Sequence, residues 1–106
     1  MVDLKLLQIL KHRDEYRKVI GRVPQESMEK TTVALLKDFG KYLDKFPSHE
    51  KVDLQTFAPL FSSWHPKLTV EQKHAYANIL KRVAQDVSDD ERVVVLQSLL
   101  ELRLSS

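Results

Sequence analysis

An all-α single domain is the fold this sequence predicts, and three observations carry the prediction. Apolar residues recur three and four apart through most of the chain, the period of an amphipathic helix rather than a strand. Two runs open with the S/T-x-x-E/Q signature of a capping box, Thr69-Val70-Glu71-Gln72 and Ser88-Asp89-Asp90-Glu91. Only Val93 to Leu96 has strand-like composition, and the cap before it and Leu99, Leu100 and Arg103 after it favour a helix. A length of 106 residues suffices for one domain and not for two.

Six helical segments follow in order. The first covers about Val2 to Lys11. Leu4, Leu7 and Leu10 lie three apart, Leu6 and Ile9 widen the apolar face, and Asp3 is its N-cap or first-turn acid. The second, about Asp14 to Ile20, sets Tyr16, Val19, Ile20 and Val23 on one face, with Gly21 expected at C′ and Pro24 as the stop. The third is the longest, from Pro24 or Ser27 to Phe46. Met28, Thr32, Leu35, Leu36, Phe39, Tyr42, Leu43 and Phe46 keep the helical period, and Lys30, Lys37, Asp38, Lys41, Asp44 and Lys45 fall mostly opposite. Gly40 inside this run costs about 1 kcal/mol relative to alanine, a cost that a close helix crossing would explain. Pro47 ends the run, because the residue before a proline avoids the α region.

The fourth segment starts at Asp53 as N-cap and gathers Leu54, Phe57, Leu60, Phe61 and Trp64 on one apolar face. Pro59 lies too far in for a first-turn proline, so a kink or two short pieces are expected. The fifth follows the Thr69 box, with Tyr76, Ile79, Leu80 and Val83 as its buried stripe and Ala77 and Ala84 beside it. The sixth follows the Ser88 box, which places three acids at the positive end of the helix dipole. Its apolar residues, Val93, Val94, Val95, Leu96, Leu99, Leu100, Leu102 and Leu104, spread around nearly the whole helix. The expected core comprises Leu7, Leu10, Leu35, Leu36, Phe39, Leu43, Phe57, Phe61, Ile79, Leu80, Leu96 and Leu99.

Composition excludes several functions. There is no cysteine, hence no disulfide, zinc knuckle, iron–sulfur cluster or thiol chemistry. Two glycines, Gly21 and Gly40, cannot form a glycine-rich phosphate loop, and neither H-E-x-x-H nor G-x-S-x-G occurs. No apolar run approaches the ~20 residues of a membrane span, and residues 1–10 carry no secretory signal. The net charge of +2 is smaller than a dedicated phosphate-binding domain usually shows. No cofactor is expected. His12, His49, His65 and His74 have no metal-ligand spacing, and His65 beside Pro66 reads as structural.

Two surfaces remain. A helix apolar all round is either buried on every side or continues its burial against a partner. The sixth segment, with Val94, Val95, Leu102 and Leu104 as its exposed contact, is therefore expected to dock on another subunit or a following domain, or to mark a chain cut short. The second surface is the basic cluster Lys11, His12, Arg13, Arg17, Lys18 and Arg22, in which Asp14 and Glu15 are interleaved. A solvated helix face is the usual meaning of such a run. Arg13, Arg17, Lys18 and Arg22 could instead contact phosphates if segments two and three formed a helix–turn–helix. Phe57, Phe61 and Trp64 at helical spacing read as core rather than as a base-stacking platform.

The order of these pieces is informative. L-x-L-L-x-I-L at Leu4 to Leu10 precedes a short segment bearing Tyr16. A long helix ends in K-Y-L-D-K-F-P at Lys41 to Pro47, D-L-x-x-F follows at Asp53 to Phe57, and H-P-x-L-T-x-E-Q stands at His65 to Gln72. Over roughly residues 2–104 the chain resembles the N-terminal domain of phage replicative DNA helicases of the DnaB-like class. The resemblance implies a compact helical bundle without ATPase activity, which helps a hexameric ring assemble and offers a surface to primase or a helicase loader, in the cytoplasm of the host cell. The motor of that family lies in a separate domain, so no catalytic residue carries over. The alternatives are a small helical DNA-binding protein and a free-standing phage regulator that docks a helix into a groove on a host protein. An enzyme is the least expected class.

Overall fold

The computed structural model describes residues 2–105, with side chains from Asp3 to Ser98. The described residues form six α-helices: α1 (Val2–Leu10), α2 (Arg13–Val19), α3 (Lys30–Lys45), α4 (Leu54–Trp64), α5 (Val70–Val83) and α6 (Asp89–Ser105). The all-α bundle is as expected. Two 3₁₀ turns, Ile20–Arg22 and Gln25–Ser27, join α2 to α3. Gly21 lies in the first of these, and no glycine has positive φ, so the expected left-handed C′ glycine is replaced by a tightened final turn. α3 accordingly starts at Lys30 rather than at Pro24 or Ser27.

α1 is the axis of the bundle. Leu6, Leu7, Ile9 and Leu10 are all buried, as are Gln8 and Lys11, and α2, α3, α5 and α6 pack around it. Asp3 reaches α3 by accepting from Thr32 Oγ1 (2.8 Å), whereas Lys5, two residues and about 200° further round, reaches α6 through Glu91 (2.9 Å). α3 and α6 therefore lie on opposite sides of α1. The most enclosed helix is thus the first and not the sixth. In α6 only Val95 (9 % exposed) is buried among the described side chains and Leu96 is half-buried, while Val93 and Val94 face solvent. Val95 is thus a core residue and not part of an exposed contact. Leu99, Leu102 and Leu104 lie outside the residues whose side chains are described.

The core otherwise follows the helical periods. Leu7, Leu10, Leu35, Leu36, Phe39, Leu43, Phe57, Phe61 and Leu80 are buried, whereas Ile79 is only half-buried. Phe39 meets Phe57 edge-on at 5.1 Å between centroids, and Phe61 packs on Tyr76 at 4.7 Å, joining α3, α4 and α5. α4 is one helix with Pro59 inside it, not two pieces. The Gly40 crossing is real: a Cβ there would collide with the phenol oxygen of Tyr16, whose hydroxyl donates to Leu36 O at 3.0 Å. The extended link after α3 pairs with the α1–α2 turn, with Arg13 N donating to Glu50 O (2.8 Å) and Val52 N to Lys11 O (2.7 Å). This pairing buries Val52, which no helical period could reveal.

Candidate interaction surfaces

The basic cluster of the sequence divides in the structure. Lys11 is 1 % exposed, and its Nζ donates to Val83 O (2.8 Å) and Gln85 O (2.9 Å) and pairs with Asp86 (3.0 Å). Three N–H bonds meet three acceptors, which closes the C-terminal end of α5. Arg13 does the same for α3. Its Nε donates to His49 O (2.7 Å), and its Nη2 donates to Leu43 O (2.8 Å) and Phe46 O (2.7 Å). An arginine spent on helix-end carbonyls is not a phosphate contact, so Arg13 leaves that set. Asp3 likewise accepts from Glu29 N (3.2 Å) and Thr32 Oγ1, at the start of α3 rather than of its own helix.

Arg17, Lys18 and Arg22 remain exposed, without a hydrogen bond or ion pair among the described residues. Their helix lies against α3 through Tyr16 at Gly40 and Leu36, and runs antiparallel to it, since Arg13 meets Leu43. The connection between α2 and α3 covers residues 20–29, longer than the three- or four-residue turn of a helix–turn–helix. The outer face of α3 is the feature that the sequence reading passed over. Lys30, Lys37, Lys41 and Lys45 fall within an arc of about 80° and along about 22 Å of axis, from 100° and 1.5 Å per residue. All four are exposed, and Lys41 Nζ lies 4.8 Å from the centroid of the Trp64 ring. Their seven- and four-residue spacing was the available signal.

The acids gather elsewhere. Asp86, Asp89, Asp90 and Glu91 surround the start of α6, which is tied to α1 by Glu91, to the α1–α2 turn by Asp86 and to α2 by Arg92. Glu91 pairs with Lys5 (2.9 Å), Arg92 with Glu15 (3.3 Å), and Asp86 with both Lys11 and His12. The Lys11 ammonium, and after it His12, holds the Asp86 carboxyl below its usual range. Only half of the expected Ser88 capping box forms: Glu91 N donates to Ser88 Oγ (3.2 Å), while the Glu91 side chain goes to Lys5. The Thr69 box on α5 is complete. Asp53 caps α4 as expected, by accepting from Gln55 N (3.1 Å).

The histidines serve the fold. His65 donates through Nε2 to the buried Asp38 of α3, and His49 Nδ1 pairs with the Tyr42 hydroxyl at 2.7 Å. No group of three potential metal ligands occurs among the described residues, nor any helix long and apolar enough to cross a membrane. A groove of about 430 Å³ opens between α1, the start of α3 and α5, over Leu4, Leu7, Leu35 and Ile79. Asp3 and Thr32 at its rim are bonded to each other.

The apolar contact expected on α6 is reduced by the loss of Val95 to the core. Val94 stays, 62 % exposed, and Val93 joins it at 61 %. Comparison of the chain with protein-family models, with curated proteins and with solved structures finds no match.

Proposed function

We propose that this chain is a docking domain that buries the outer face of α6 against a neighbouring copy of itself. This is the role implied by its resemblance to the N-terminal domain of DnaB-like replicative helicases, where ring assembly and a surface for primase or a loader are the functions of that domain. The observation that carries the reading is the adjacent pair Val93 and Val94, exposed on a helix whose opposite side is seated on α1 through Val95. An isolated exposed valine needs no explanation. Two together on the outermost helix form an apolar patch with polar surroundings, Asp89 and Asp90 on one side and Gln97 on the other. Affinity would come from packing rather than chemistry.

The test is self-association of the purified chain, followed by sedimentation over a range of concentrations. Full burial of a valine contributes about 1.5 kcal/mol or more, about tenfold in affinity. Val93→Asp with Val94→Asp should therefore weaken association by two orders of magnitude or more while leaving helicity unchanged. Val95→Asp should unfold the domain instead. A chain that stays monomeric at every concentration, or associates equally well with both aspartates, overturns the reading.

A further inference from the structure

We infer that the outer face of α3 is a sequence-independent contact for the phosphate backbone of duplex nucleic acid; Arg17, Lys18 and Arg22 are exposed on the neighbouring α2 and its 3₁₀ turn. The inference does not rest on self-association through α6, because α3 and α6 lie on opposite sides of α1.

Charge is the first argument. Lys30, Lys37, Lys45, Arg17, Lys18 and Arg22 make no ion pair among the described residues, and Lys41 has only the Trp64 ring. The acids on these elements and the turns between them are Asp14, Glu15, Glu26, Glu29, Asp38 and Asp44, of which Glu15 pairs with Arg92 and Asp38 with His65. The second argument is shape: a row of lysines along about 22 Å of one helix presents flexible point charges to a linear array of charge. A duplex carries about one phosphate per 1.7 Å of axis.

The class of partner follows from what the face lacks. Protein–protein interfaces are depleted in lysine and centred on apolar or aromatic anchors, and no large apolar side chain on this face is exposed. Single-strand binders add free aromatic rings on which bases stack. Here the Trp64 ring is covered by Lys41, and the Tyr16 phenol is turned in against Gly40 and Leu36 O. Without a bidentate or stacking group the face reads charge, not sequence.

The experiment is fluorescence anisotropy with a mixed-sequence DNA duplex of about 21 bp, two helical turns at ~10.5 bp each, and a single strand of equal length, titrated with salt. The expected duplex dissociation constant is about 1 to 100 µM at physiological salt, falling steeply as salt is lowered. Lys37→Gln with Lys41→Gln should lower the salt slope by about 2, as should Lys30→Gln with Lys37→Gln, which leaves the Trp64 contact intact. Lys73→Gln with Lys81→Gln, on α5 and outside the α3 face, should leave the slope unchanged. Melting curves establish that each variant is folded. No duplex binding at low salt, equal losses from the α3 and α5 pairs, or tighter binding of the single strand overturns the inference.

Discussion

Replacing Lys11 by methionine removes an ammonium while keeping most of the side-chain volume, so its cost measures the polar work of one residue. The Nζ has three partners. Asp86 is 69 % exposed in its side chain and returns to water when released, so its pairing contributes at most about 1 kcal/mol. The Val83 and Gln85 carbonyls differ, because the Val83 bond is buried and the Gln85 bond partly so. Hydrogen bonds from a charged donor contribute about 1.5 to 3 kcal/mol each, and a buried acceptor left unpaired loses a similar amount. Methionine also relieves the ammonium of its desolvation, several kcal/mol, which offsets part of the loss. The balance is a destabilisation of about 3 kcal/mol against the 5 to 15 kcal/mol of a domain this size. With a urea m-value of about 2 kcal/mol/M, the midpoint should fall by about 1.5 M at unchanged m. Trp64 fluorescence and far-ultraviolet circular dichroism, read together, measure it. A shift below about 0.3 M, within the ordinary error of such extrapolations, or an increase in stability refutes the assignment of Lys11 as the cap of α5.

Two further outcomes follow from the packing. Gly40→Ala gains about 1 kcal/mol of helix propensity but drives a methyl into the Tyr16 hydroxyl, and overpacking costs about 1 to 3 kcal/mol. The variant should be net destabilised, and in a Tyr16→Phe background the same change should be neutral or better; additive effects would show that the crossing does not need glycine. Stability should also fall at both ends of the pH scale, read as urea midpoints. Burial, the largest cause at each site, raises the phenols of Tyr16, Tyr42 and Tyr76 above their ordinary 10.0. Their contribution is complete below that value and is lost as pH rises through the raised ones. Asp86 is depressed below 3.8, so its share is present above that value and disappears as pH falls through the lowered one. Tyr76→Phe should blunt the alkaline loss, and a midpoint that stays level from neutrality to strongly alkaline pH would contradict the assignment.

What the sequence disclosed, and what it concealed, divides along sequence distance. Asp53 and the Thr69 box cap their own helices through partners two and three residues away, and both were legible. Leu35, Leu36, Phe39 and Leu43 followed a period of 3.6 into the core. Lys11, Arg13 and Asp3 close the ends of helices that lie 26 to 74 residues away. No local rule distinguishes such a lysine from a solvated one, so Lys11 and Arg13 read as part of a basic cluster. Apolar residues spread widely round both α1 and α6, and that breadth was read as a partner contact on α6, whereas the helix enclosed by its neighbours is α1. Choosing between them needs the tertiary arrangement. The α3 lysines were visible as the polar side of an amphipathic helix, but that they make no ion pair among the described residues was not, because pairing is settled by neighbours such as α2.

The central position of α1 orders events during synthesis. Of the six helices it is made before the other five, and it carries Leu6, Leu7, Ile9 and Leu10, all destined for the interior. Asp3 finds Glu29 and Thr32 at 26 and 29 residues, but the other polar anchors of this segment lie far along the chain: Lys11 to Val83 spans 72 residues, Gln8 to Arg82 spans 74, and Lys5 to Glu91 spans 86. Contacts of that separation require the intervening loop to close before they return any energy. The middle of the chain has nearer partners, with Tyr16 on Leu36 O and Phe39 on Phe57. α2, α3 and α4 can therefore associate early, with α1 docked on α2 and α3 but open on the sides that α5 and α6 later cover. Its seat is complete only once α6 has been made. Until then part of the apolar surface of α1 stays uncovered, the kind of surface that chaperones hold.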